Sequence, residues 1–165
     1  MIREHDNIVL ARDIEEHDLE RGYVGVAVHC YPNETAFEVE FVTKDGHTAA
    51  VLTLTNEDIR PMNQEEKNIH LLDLQMNELE QIVSAAEYEN DFDAAKERLR
   101  RWKTRAARLI SLHIDPNEGR KLEKKRKRSS SYIDLLSNII KEADMYRAFV
   151  QALREEIQQH PEKRN

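Results

Sequence analysis

A chain of 165 residues with 39% hydrophobic and 35% charged side chains has room for one ordinary domain or two small ones, and its composition is not that of a disordered chain. A single cysteine excludes an intramolecular disulfide, and no apolar run reaches the roughly 18 residues of a transmembrane helix. The net charge of −7 is uneven: residues 1–62 carry 5 Lys/Arg against 13 Asp/Glu, while residues 63–165 carry 20 against 19.

The N-terminal residues MIREHDNIVLARD lack the apolar segment of a leader, so a cytoplasmic protein is expected. Asn7–Leu10 opens a series of short strands. Val24, Val26 and Val28 then alternate with smaller residues, and Phe37, Val39 and Phe41 alternate with Glu38 and Glu40. That period of two predicts strands with one buried and one wet face, the three valines buried. Cys30 continues the valine pattern and reads as a buried, reduced thiol. The turn at residues 31–35 (YPNET) and Lys44-Asp45-Gly46 join these strands, Asp-Gly being the better hairpin signal. Thr48–Leu54 follows, and residues 59–62 close the set after the polar Asn56-Glu57-Asp58 turn. Five strands at this spacing predict a small SH3-like β-barrel over residues 1–62.

The residues Arg21-Gly22, Gly25, Glu38-Val39-Glu40-Phe41, Asp45-Gly46, Leu52-Thr53-Leu54 and Arg60-Pro61 resemble the pattern of a bacterial family of small domains of unknown function with an EVEF core. The resemblance spans about the first 62 residues and rests on fold-forming positions. It implies an SH3-like barrel and no activity. Such barrels mostly serve as binding modules, which is an analogy of fold.

From Glu65 the apolar period becomes 3.6. Ile69, Leu72, Met76, Leu79 and Val83 form one stripe. Phe92, Ala95, Leu99, Trp102, Ala106 and Leu109 form a second, and Ile133, Leu136, Ile140, Ala143, Val150, Leu153 and Ile157 a third. Asn90 or Asp91 is placed to cap the second helix. Asp115-Pro116-Asn117-Glu118 opens a short helix, Ser131-Tyr132-Ile133-Asp134 opens the last, and His160-Pro161 ends it. Residues 63–165 are therefore expected to form an antiparallel helical bundle, giving an α+β protein overall. The same stripes also suit a homodimer through the helices. Asp91-Phe92-Asp93-Ala94-Ala95-Lys96, Leu99, Trp102-Lys103 and Met145-Tyr146-Arg147-Ala148-Phe149 are similar to small helical modules beside effector domains of bacterial proteins, some of them in conflict systems.

No residue set points to catalysis. The His5-Asp6 and His17-Asp18 pairs lie in an acidic loop region and lack the paired spacing of a helical zinc site. There is no Gly-rich phosphate loop and no nucleophile elbow. No metal, cofactor or membrane contact is expected. Glu38 and Glu40 read as outward strand charges, and Trp102, Tyr132, Tyr146 and Phe149 as bundle anchors.

The basic run is the functional candidate. Residues 96–128 carry 14 Lys/Arg against 4 Asp/Glu. The chosen positions are Arg100, Arg101, Arg105, Arg108, Lys121, Lys124, Lys125, Arg126, Lys127 and Arg128. Three readings stay open: a solvated helix face, a dock for another protein, or a nucleic-acid surface neutralising phosphates. No aromatics interleave the run, so stacking on single strands is not favoured. The acidic N-terminal part repels phosphate backbones. The expected function is a non-catalytic protein-interaction or regulatory protein, with a bacterial conflict or toxin–antitoxin setting implied by the helical resemblance. The alternative is a nucleic-acid binder using residues 96–128.

Overall fold

The computed structural model describes residues 1–32, 35–43, 46–126 and 135–159. The chain divides into two compact units, Met1–Gln64 and Glu65–Asn165. Parts of the turns at residues 31–35 and 44–46, the start of the last helix at 131–134 and its His160-Pro161 stop lie outside the described residues.

Unit 1 is an antiparallel sheet. Among the described residues its strands are β1 (Asn7–Leu10), β2 (Val24–Cys30), β3 (Phe37–Val42), β4 (Thr48–Leu54) and β5 (Ile59–Pro61). They lie in the order β4-β3-β2-β1-β5, so the last strand returns to the free edge of the first. The closed barrel expected from the sequence is an open sheet. β5 pairs with β1, and it is three residues long and ends in Pro61, whose nitrogen has no hydrogen to offer a further strand.

Phe37, Val39 and Phe41 are fully buried, and each aromatic ring so placed contributes roughly 1.5–3 kcal/mol. The valine face of β2 is the reverse of the expectation. Residues directly opposite in an antiparallel pair share a face. Ala27 lies opposite Val39 in the core, and Val26 lies opposite Glu40 on the outer face. Gly25 and Ala27 are buried, Val24 and Val26 half-buried, and Val28 exposed. A Cβ at Gly25 would stand 2.6 Å from Val39 Cγ1 and 2.7 Å from Phe41 Cε1, so the bulk of β3 leaves room for glycine alone. Between Ala27 and His29 the register shifts, with Val28 as the extra residue. That bulge returns Cys30 to the core side opposite Phe37, where it is half-buried rather than sealed.

In unit 2 the described residues form α1 (Gln64–Glu89), α2 (Phe92–His113), α3 (Pro116–Lys124) and α4 (Leu135–Gln159). Both expected caps form. The Asp91 side chain accepts from Ala94 N–H at 3.0 Å, and Asp115 from Asn117 N–H at 2.6 Å with Pro116 in the first turn. Asp73 pairs with Arg154, while Ala86 packs with Ile139, so α1 and α4 run antiparallel. Arg105 pairs with Glu78 and Arg98 with Glu89, which sets α1 antiparallel to α2. Trp102 and Tyr146 rings lie 5.6 Å apart and Ala95 packs with Ile139, so α2 and α4 share a direction. Leu72, Leu79, Leu99, Val150 and Leu153 join Trp102 and Tyr146 in one core. Ile110 is buried in that core and Ile139 in a smaller cluster with Ala86 and Ala95, while Leu109 and Ile140 are half-buried. No helix among the described residues is long and apolar enough to cross a membrane.

Candidate functional site

The basic positions fall into two groups. On α2, Arg98, Arg101 and Arg105 step by three and four residues, which puts them on one side of the helix. With Glu78, Gln81, Ile82 and Ala85 of α1, and with Trp102, they line a groove of about 350 Å³. Ile82 and Trp102 belong to the buried core, so the floor is apolar while the rim is charged.

Each rim arginine is held by a carboxylate of its own chain. Arg98 donates to Glu89 at 3.0 Å, Arg101 Nε to Glu97 at 2.7 Å, and Arg105 to Glu78. Glu97 also takes two bonds from Arg100, at 2.8 and 2.9 Å. The Arg100 bonds, with those from Arg101, hold the Glu97 carboxyl down to about 2. The side chains of Arg98, Arg101 and Arg105 keep 46%, 74% and 52% of their surface exposed. A guanidinium has five N–H donors. Among the described residues each of the three uses one of them.

The second group follows the end of α2. Arg108 is exposed on α2, and Lys124 and Arg126 are exposed at the close of α3. Lys121 donates to Glu118 at 2.6 Å. Lys125 turns back onto its own bundle, its ammonium 5.3 Å from the centre of the Phe149 ring. Lys127 and Arg128 lie outside the described residues. Lys103, which the candidate set omits, donates to the Lys125 carbonyl at 2.5 Å and sits 5.3 Å over Tyr146. Burial pushes its ammonium below the ordinary value, and the nearby Arg126 adds to that against the pull of Glu142 and Glu123. The expected anchors Trp102 and Tyr146 are buried, and Phe149 packs against the core; Tyr132 lies outside the described residues. Burial, then the hydrogen bond to Glu142, pushes the Tyr146 phenol well above its ordinary range.

The structure thus brings Arg101 and Arg105 together at one groove and leaves Lys124 and Arg126 elsewhere. It adds Arg98, Glu78 and Gln81. Arg98 lies within the basic run and shares the three-four step of Arg101 and Arg105, so helical phase is the signal that finds it. The α1 residues carry no such signal, because their place opposite α2 is set by packing.

In unit 1, His29 Nδ1 meets Glu4 at 2.9 Å, and Tyr31 and Thr53 both donate to Glu38. Asp58 is buried and accepts from Thr55 N–H, the Thr55 hydroxyl and Arg12. Among the described residues no three His, Cys, Asp or Glu side chains gather as metal ligands would.

Residues 4–61 match the model of a family described as a domain of unknown function, DUF4926. The motif residues from Arg21 to Pro61 lie within that span. Neither the curated proteins nor the solved structures yield a match to the chain. What the chain is similar to is therefore a domain family over its sheet unit.

Proposed function

We propose that this is a non-catalytic interaction or regulatory protein that acts by binding another protein through its helical unit. One observation carries the reading: the α1–α2 groove, with an arginine rim over the apolar floor of Ile82, Ala85 and Trp102. Interfaces are built around an apolar anchor in a pocket with arginine nearby, and arginine is enriched among the residues that dominate binding energy. A phosphate backbone needs free cations and no apolar floor. The ion pairs of Arg98, Arg100, Arg101, Arg105 and Lys121 reduce the free positive charge that nucleic acid would meet. The likeness of the helical part to modules beside effector domains makes an effector of a bacterial conflict system the first class of partner to seek.

The test is recovery of a partner. Tagged full-length chain, isolated gently from its host, is expected to bring down one protein in stoichiometric amount, and the purified pair is expected to re-form. Recovery of nothing beyond a tag-only control would refute the reading. Recovery of nucleic acid that is lost as salt rises would favour the alternative through residues 96–128.

A further inference from the structure

The two edges of the unit 1 sheet are unlike. At one edge β5 is three residues long, carries Arg60 and ends in Pro61, features that discourage a further strand. At the other edge β4 is seven residues long, TAAVLTL, with no charge, no proline and no glycine. We propose that the β4 edge pairs antiparallel with β4 of a second copy of the chain, about a two-fold axis at Leu52. This concerns the sheet unit and is independent of the groove on the helices.

A strand edge asks for a strand, because its outward N–H and C=O groups alternate and another extended chain meets them in order. The side chains choose the copy. Ala50, Leu52 and Leu54 lie opposite Phe41, Val39 and Phe37 and so face the core, while Val51 lies opposite Glu40 and Thr53 opposite Glu38 on the outer face. An antiparallel copy centred on Leu52 sets Ala50 opposite the second copy's Leu54, Leu52 opposite its Leu52, and Val51 opposite its Thr53. Core-facing residues then meet core-facing residues, small Ala50 meets large Leu54, and no charge stands at any of these positions. Leu54 is buried within one chain, but Ala50 and Leu52 are half-buried and Val51 keeps 53% of its surface exposed. The apolar row at this edge is therefore unfinished, and a second copy completes it. The register shift opposite Phe41 and Val42 leaves Ala49 as the extra residue of β4. Ala49 lies outside the pairing, which is why the axis falls at Leu52 rather than at Val51, the middle of the strand.

The acidity of unit 1 does not stand in the way. On β3, the strand next to β4, Glu38 and Glu40 accept from the Thr53 and Thr48 hydroxyls of their own chain. Across the joined sheet the two β3 strands stand three strand spacings apart, about 14 Å. That exceeds the screening length of roughly 8 Å at physiological salt. A single strand pair covers less than the roughly 1,200 Å² of a stable interface, so the dimer is weak and depends on concentration.

Sedimentation equilibrium of the full chain at rising concentration measures the association. A reversible dimer is expected. Val51→Lys and Val51→Glu are each expected to weaken it about tenfold or more, since each brings two like charges to about 7–8 Å across the axis. Val51 is exposed in the single chain, so both variants are expected to keep the sheet, which circular dichroism and amide exchange at Val39 check. An equal mixture of the two variants is expected to recover the dimer, because opposite charges then meet across the axis; a variant that had merely lost its fold would not be rescued in this way. A chain that stays monomeric up to about 1 mM would overturn the proposal. So would a dimer that both variants leave intact, as association through the helices would give, or a mixture of the variants that stays apart.

Discussion

The indole Nε1–H of Trp102 donates to the backbone carbonyl of Gln75 at 3.1 Å, joining α2 to α1 across 27 residues of sequence. The carbonyl has a second lone pair, so the indole bond adds to the helical one rather than replacing it. Both residues are buried, and the ring is also stacked against Tyr146. Trp102→Phe keeps most of the apolar contact and is expected to cost about 1–2 kcal/mol, the worth of a buried hydrogen bond. Trp102→Ala is expected to cost about 3–5 kcal/mol. Urea unfolding followed by helical circular dichroism checks both. Trp102 is the chain's single tryptophan, so its fluorescence in the parent protein reports the helical unit alone.

At Gly119 the backbone of α3 comes close to α2. A Cβ there would stand 1.9 Å from Ser111 Oγ and 2.4 Å from the Ala107 carbonyl oxygen. A serine side chain can rotate away; a helix carbonyl cannot. Gly119→Ala is therefore expected to destabilise unit 2 by about 1–3 kcal/mol despite the better helix propensity of alanine. Adding Ser111→Gly is expected to restore only part of the loss, since the Ala107 carbonyl remains. Thermal melts of the single and double variants measure the difference.

Asp58 gives unit 1 an acid sensitivity. Burial alone would raise its carboxyl, but the Thr55 N–H, the Arg12 guanidinium and the Thr55 hydroxyl together hold it below its ordinary value of 3.8. A carboxyl lowered in the folded state stabilises above the unfolded value, and that contribution is lost as pH falls through the folded value. The sheet is expected to keep constant stability from neutral pH down to about 5 and to lose it progressively below about 4. Asp58→Asn is expected to weaken the sheet by about 1–3 kcal/mol at neutral pH and to flatten that acid response. Amide exchange at Val39 and Phe41 in β3 reads it without interference from the helices.

Much of this arrangement can be read from the residues in order. The limits of β1 and β4, the inward face of Phe37, Val39 and Phe41, and the caps Asp91 and Asp115 all follow from local pattern. The face of β2 does not. Val24, Val26 and Val28 are the most apolar residues of their strand, yet β3 supplies the bulk and leaves space only for Gly25 and Ala27. A bulge at Val28 then resets the alternation, and no single strand reveals where its neighbour will shift. In α2 the stripe drifts from Leu109 to Ile110, because a strict three-four count departs from the true turn of the helix over several turns. The candidate site was legible by half. Arg101 and Arg105 stand in an evident basic run, but Glu78 and Gln81 meet them only through the packing of two helices.

Glu97 bridges Arg100 and Arg101 on the surface, and this pairing holds positive charge in check rather than holding the fold. Glu97→Gln is expected to change stability by no more than about 0.5 kcal/mol. Urea unfolding of the variant and the parent, followed by circular dichroism, checks this.

The central proposal for this protein is that it works by binding another protein. Quantitative mass spectrometry of material co-purifying with tagged full-length chain, alongside nucleic-acid absorbance of the same sample, tests it most directly. The expected result is one protein at near-equal molar amount, depleted when Arg98, Arg101 and Arg105 are replaced by glutamine, with no nucleic acid retained. A sample holding no protein above the tag-only control, or one dominated by nucleic acid released by salt, would contradict it.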